Sequence, residues 1–260
     1  MSPRPYKLGQ RQAATEQTKA RILSAARELL MASDGFSSFS IDQVARQADV
    51  ARMTIYHQFG SKSGLLEALC DALAASGGME QLATAFRQPE SLDVLDQYLL
   101  VFSRFWDADR LVTRRLRALA ALDPDFEQVI RARDERRRQG VRVITQRLVE
   151  QQVLPPDASL DQIIDVLFTL SSFETFDTLA GPTRSLEEVG PLVCQLARAA
   201  LISTTYDRWM GADDGSVIAI VSLCSSRAAI LMLGLRVFSK SPTSTRCCPD
   251  GLFFSFSVTP

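Results

Sequence analysis

What most constrains this chain is the stretch from Ala20 to Leu69, where helical patterns follow one another with gaps of only a few residues. Ile22, Ala26, Leu29, Leu30 and Ser33 fall at spacings of four, seven, eight and eleven, with Arg21, Arg27 and Glu28 off that stripe, so an amphipathic helix is predicted. Thr15 or Thr18 stands where a cap would start it, and Gly35 where it would stop. Ser40 opens a second helix, short and ending near Ala48. Gln43 three positions on completes a capping box that satisfies two otherwise orphaned backbone N–H groups. Asp49 and Val50 leave room only for a tight turn before a third helical run, Arg52 to Gln58, ends at Gly60. Two short helices joined by a three- or four-residue turn are a helix-turn-helix in outline. Ile41, Val44, Ala45, Ala48, Val50 and Ile55 supply apolar contacts to fix their crossing, and Phe36, Phe39 and Phe59 can close the small core.

Beyond Ser61 the grammar stays helical. Leu65, Leu66, Leu69 and Leu73 mark one helix, which Gly77 and Gly78 break or kink. Helical periodicity then covers about Leu92 to Asp107, Arg110 to Leu122, Asp125 to Gln152, Leu160 to Leu179 and Leu186 to Met210. Pro89, Pro124, Pro155 with Pro156, and Gly181 with Pro182 separate these runs. No alternating strand pattern interrupts them. The expected fold class is therefore all-α: a three-helix N-terminal unit with a helix-turn-helix, plus a larger C-terminal helical bundle. The expected boundaries are a flexible basic arm over 1–14, the helix-turn-helix domain over 15–62, the bundle over 63–210, and an atypical apolar tail over 211–260.

Charge follows the same division. The 260 residues carry a net charge of -1, but this is +4 over residues 1–66, -6 over 67–210 and +1 over 211–260. Such asymmetry is the pattern of a basic binding module joined to an acidic body. The tail reads SVIAIVSLCSSRAAILMLGLRVF over 216–238, and Arg227 near its centre argues against a membrane span. No membrane is expected as a partner. Arg4, Lys7 and Arg11 lead into no apolar stretch, so no signal peptide is expected.

Catalysis finds little support. His57 is the single histidine, it lies in the third short helix, and a helix-turn-helix surface offers no deep, dry pocket for a triad. The five cysteines, Cys70, Cys194, Cys224, Cys247 and Cys248, are an odd number with no C-x-x-C spacing, so neither a disulfide framework nor a zinc site is indicated. No G-x-x-x-x-G-K-[ST] or G-x-G-x-x-G loop occurs. The acidic pairs Asp123 with Asp125 and Glu187 with Glu188 read as solvated or helix-capping charges, and Arg133 to Arg138 as a solvated face. The expectation is a cytoplasmic protein that is not an enzyme and has no metal and no cofactor.

Taken together, ARILSAARELLMASDGFSSFSIDQVARQADVARMTIYHQFGSKSGLLEAL resembles the N-terminal DNA-binding domain of the TetR family of bacterial transcriptional regulators. The matching features are Asp34-Gly35-Phe36 after the first helix, Ser40-Ile41 opening the second, and Val44-Ala45 within it. Ala48 and Val50 at the turn, Thr54-Ile55-Tyr56 in the recognition helix and Phe59-Gly60-Ser61-Lys62 beyond it complete the match. Two positions depart from the family's habit. Asp49 stands where Gly is common, and Asp tolerates a left-handed backbone better than most residues. Ala51 stands where Ser or Thr is common and cannot supply an N-cap hydrogen bond, a loss of about 1 kcal/mol.

The resemblance implies a DNA-binding set of Ser40, Arg52, Met53, Thr54, Tyr56, His57 and Lys62. Arg52 is suited to guanine O6 and N7, Met53 to a thymine methyl, and Thr54, Tyr56, Lys62 and Ser40 to phosphates. The basic arm would reach along the backbone or into the minor groove. It also implies a homodimer, paired through the helices at about 160–179 and 186–210, that answers to an unidentified small-molecule effector and reads a near-palindromic operator in double-stranded DNA. Phe102, Phe105, Trp106, Leu119, Phe126, Phe168 and Phe173 are the candidate ligand lining. The leading function is a ligand-responsive repressor. Two alternatives stay open: a helical small-molecule binding protein or enzyme on the same fold without a DNA function, and a regulator tethered to a membrane by its tail.

Overall fold

The computed structural model describes residues 5–32, 39–154 and 158–206, with side chains described over 12–32, 39–154 and 158–202. Among the described residues eleven α-helices run in order: α1 (Pro5–Met31), α2 (Ile41–Gln47), α3 (Arg52–Phe59), α4 (Lys62–Ser76), α5 (Leu82–Ala85), α6 (Ser91–Ala108), α7 (Arg110–Ala120), α8 (Pro124–Glu150), α9 (Leu160–Leu170), α10 (Phe173–Ala180) and α11 (Gly190–Tyr206). A single 3₁₀ turn, Met79–Gln81, precedes α5. There is no strand among the described residues. The Asp34-Gly35-Phe36 turn, Pro155 with Pro156, Arg4 and the tail over 211–260 lie outside the described residues.

Local chemistry accounts for most boundaries. Ser40 caps α2, its Oγ accepting from the Gln43 N–H at 3.3 Å. Asp49 carries the turn at φ 50°, the left-handed conformation that its short polar side chain tolerates. Ala51 precedes α3 and makes no side-chain cap. Ser61 caps α4 by accepting from the Gly64 N–H at 2.9 Å. A Cβ on Gly64 would lie 2.1 Å from the Phe59 carbonyl oxygen, so only glycine lets α3 and α4 turn this tightly. Asp123 caps α8, with Pro124 at its first position.

Some boundaries depart from sequence expectation. Residues 5–14, read as a flexible arm, are helical and belong to α1. The helix expected over 160–179 is broken between α9 and α10. There the Ser171 Oγ donates to the Phe168 carbonyl, and Ser172 restarts the chain by accepting from the Thr175 N–H. The last helix begins at Gly190 rather than Leu186. Across that approach the Ser185 N–H donates to the Glu188 carboxylate and the Glu188 N–H to Ser185 Oγ, a capping box closing a turn that precedes the helix.

Two buried clusters hold these helices. One gathers Ile22, Ala26, Leu30, Phe39, Val44, Ile55, Leu65 and Leu69, and extends to Val112, Leu116 and Leu119 of α7 and Phe126 of α8. The other is built on α6 and α8 to α11, around Leu95, Leu99, Ile144, Leu167, Phe176 and Val193. The helix-turn-helix thus shares its core with α7 and the start of α8, and the apolar packing crosses the division expected at residue 62.

Candidate functional site

Around α3 the helix-turn-helix exposes a polar face. Ile55 is fully buried and anchors the helix in the first core. Arg52, Met53 and His57 are exposed, Met53 at 60% despite being apolar, while Thr54 and Tyr56 are half-buried. Arg52 is folded back along its own unit, donating to the Asp42 carboxylate at 3.3 Å and to the Tyr56 hydroxyl at 3.1 Å. The Tyr56 hydrogen bond, then the Asp42 charge, hold its guanidinium above the usual arginine range. Ser40 spends its Oγ on the α2 cap, and Lys62 Nζ stands 3.8 Å from the Asp123 carboxylate that caps α8. The seven nominated residues therefore divide. Arg52, Met53, Thr54, Tyr56 and His57 share α3, whereas Ser40 and Lys62 flank it as a capping residue and an ion-paired one.

A cavity of about 340 Å³ lies between α4 and α8, the size of a small-molecule site. Leu73, Met79, Leu82, Phe86, Tyr98 and Leu116 give it apolar walls. Of the seven nominated lining residues, Phe102, Phe105 and Trp106 are there. The other four are elsewhere. Leu119 and Phe126 belong to the core shared with the helix-turn-helix, Phe173 stands edge-on behind Trp106 at 5.8 Å, and Phe168 lies beneath the Arg137 guanidinium at 3.8 Å.

That last contact corrects the reading of Arg133 to Arg138 as a solvated face. The Arg137 side chain is only 4% exposed and lines the cavity, as do Arg133 and Arg136. Arg137 donates to the Phe168 carbonyl, to Ser171 Oγ at 2.8 Å and to Asp134 at 3.3 Å, and its own carbonyl accepts from the Tyr98 hydroxyl at 2.8 Å. Burial pulls its pKa down, against the raising effect of Asp134. The periodicity held a signal for this. Phe126, Ile130, Arg133, Arg137, Val141, Ile144 and Leu148 form one continuous stripe of α8, with the arginines in register with buried residues. Gly140 lets α8 approach α6, since a Cβ there would lie 3.0 Å from the Tyr98 ring.

Helix α7 touches both regions. Thr113, Leu116 and Arg117 face the cavity. Arg115 donates to the Leu30 and Ala32 carbonyls, closing the C-terminal end of α1, and Arg27 of α1 grips Asp109 just before α7. On the opposite side Arg110 and Arg114 both hold Asp177 of α10, and Arg117 bridges Glu174 and Asp134.

Residues 22–69 match the family model described as bacterial regulatory proteins, tetR family. This segment carries the TetR-family helix-turn-helix signature. No curated protein matches the chain. Among solved structures, it is similar to the TetR-family regulator PfmR of Thermus thermophilus (22% identity, 69% of this chain and 97% of that one, TM-score 0.53). It also resembles the transcriptional regulator FadR of Bacillus subtilis in complex with stearoyl-CoA (16%, 69% and 97%, TM-score 0.53). A TetR-family regulator of Syntrophomonas wolfei aligns at 13% identity over 72% and 96%, with a TM-score of 0.59. At these identities the likeness extends the TetR fold over both the helix-turn-helix and the helical body. Among the described residues no helix is long and apolar enough to cross a membrane, and no three His, Cys, Asp or Glu side chains cluster as metal ligands would.

Proposed function

We propose that this TetR-fold chain is a transcriptional regulator that acts as a homodimer, reads a near-palindromic operator with α3, and releases it when an effector fills the cavity between α4 and α8. A regulator of this kind works in the bacterial cytoplasm, on duplex DNA, without catalysing a reaction. The observation that carries the reading is the α3 face: Arg52, Met53 and His57 are exposed while Ile55 beneath them is fully buried, so a rigid helix presents groove-reading side chains.

Dimerisation is supported by apolar surface on two helices. Leu160 and Val166 of α9 and Leu196 and Ile202 of α11 are 37% to 66% exposed, large side chains that a four-helix interface would cover. The twofold axis would set two α3 helices one DNA turn apart, about 34 to 36 Å. An effector pressing on Leu116 and Arg117 would move α7, and with it the Arg115 and Arg27 grips on α1, changing that spacing. The shift is limited by the effector's differential affinity for the two arrangements.

Selection of bound duplexes from a random pool, followed by footprinting, tests this. A palindromic consensus is expected, with binding weakened at least tenfold in Arg52→Ala and Tyr56→Ala while folding is kept. A purified protein with no sequence-selective duplex binding at moderate salt would overturn it.

A further inference from the structure

The cavity's walls do not match in character. One side is aromatic and aliphatic, from Phe86, Tyr98, Phe102, Phe105 and Trp106. The other, on α7 and α8, brings Arg117, Arg133, Arg137 and the more exposed Arg136 to the lining, with Asp71 and Asp134 beside them and Glu174 holding Arg117 from outside. Asp134 is shared by Arg117 at 3.4 Å and Arg137 at 3.3 Å, both long for charged pairs, and Asp71 is taken by Arg133 at 2.7 Å. Two buried guanidinium donors remain without a hydrogen-bond partner, the Nε of Arg137 and the Nε of Arg133. A buried unmatched donor on a permanently charged group is costly, and such groups are normally satisfied. Two unmatched cationic donors beside an apolar chamber are therefore complementary to a molecule that brings an acceptor-bearing negative head and an apolar body.

Building on the effector reading of this cavity, we infer that its ligand is an anionic amphiphile, with a carboxylate or comparable oxyanion set against Arg133 and Arg137 and a hydrocarbon or aryl body among Phe102, Phe105 and Trp106. At roughly 30 Å³ per water-sized group, the chamber holds a body of about ten such groups. Trp106 lies in the wall, so it reports occupancy directly.

The test uses the full chain carrying Trp209→Phe, so that Trp106 is the sole tryptophan, titrated below micellar concentration with decanoate, decyl sulfate, 1-decanol and decyltrimethylammonium. Both anions are expected to change Trp106 emission at concentrations at least tenfold lower than the alcohol, and the cation not to bind. Arg133→Gln, its fold checked by circular dichroism and thermal melting, is expected to narrow the preference for anion over alcohol several-fold. Alcohol binding as tight as decanoate, binding of the cation, or no binding by any member overturns the assignment. A parallel operator-binding titration separates the two proposals: anion binding that leaves the operator complex intact refutes the ligand-response reading and leaves the ligand class standing.

Discussion

Replacing Asp177 with Asn tests whether α7 is held in place by the ion cluster on its outer side. The Asp177 carboxylate accepts from Arg110 Nε at 2.6 Å and from Arg114 at 2.7 and 2.9 Å, and is 21% exposed. Asn keeps the shape but loses the charge and turns an amide N–H₂ toward guanidinium donors. The Arg110 bond is largely sheltered, and a hydrogen bond to a charged group contributes about 1.5 to 3 kcal/mol. Arg114 is 52% exposed, so solvent screening reduces its share to about 0.5 kcal/mol. The expected loss is about 2 kcal/mol at pH 7, or roughly 4 to 8 °C in Tm for a chain of this size.

The pH dependence has a definite sign. Burial raises the Asp177 pKa, but the Arg114 and Arg110 hydrogen bonds outweigh it and leave the group below its ordinary value. A carboxylate depressed in the folded state contributes in full above its unfolded pKa of about 3.9, and that contribution is lost as pH falls through the folded value. Urea denaturation of the native chain and D177N should therefore show a constant gap from pH 7 to 5 that narrows toward pH 3. Equal stability at pH 7, or a gap that does not move between pH 5 and 3, would refute the reasoning.

Four further outcomes are expected. Arg52→Ala and Met53→Ala should each weaken consensus-operator binding about tenfold to a hundredfold and relax selectivity at one base position, read by gel shift with single-base variants. Ala51→Ser should raise the unfolding free energy by about 1 kcal/mol by adding the cap that α3 lacks, measured by chemical denaturation. Phe126→Ala, at a fully buried position outside the cavity, should cost about 3 to 5 kcal/mol of stability and leave Trp106 without a new ligand response. Ile202→Glu, on the exposed face of α11, should convert dimers to monomers in sedimentation velocity.

The parts of this fold that announce themselves in the sequence are those governed by local chemistry. Ser40, Asp123 and the Leu65–Leu69–Leu73 stripe each specify a cap or a buried face within a few residues, and the helices stand where those signals place them. The break at Ser171 and Ser172 is harder to read, because it depends on Arg137 arriving from a helix 31 residues away to bond the Phe168 carbonyl that an unbroken helix would use. The cavity was legible only in part for a related reason. Aromatic spacing finds α6, but hydrophobic patterning scores arginine as surface and so overlooks Arg133 and Arg137, whose long stems carry them inside, Arg137 also stacking on Phe168. Phe126 and Leu119 mislead in the opposite direction, being aromatic and aliphatic residues consumed by ordinary core packing.

For the operator reader proposed above, Arg52's attachment to Asp42 and Tyr56 would bear on how it searches a chromosome. Off target, the guanidinium proposed to read a base has a partner already, one supplied by its own domain. On that reading a duplex that offers only phosphates would compete with this exposed internal pair while Asp42 repels the backbone, and encounters with random sequence would be shortened. Only a guanine edge, with two acceptors in the plane of the fork, competes on equal terms. Removing that internal rival, as Asp42→Asn would, is a way to make the protein stickier everywhere and less discerning at the one place where it matters.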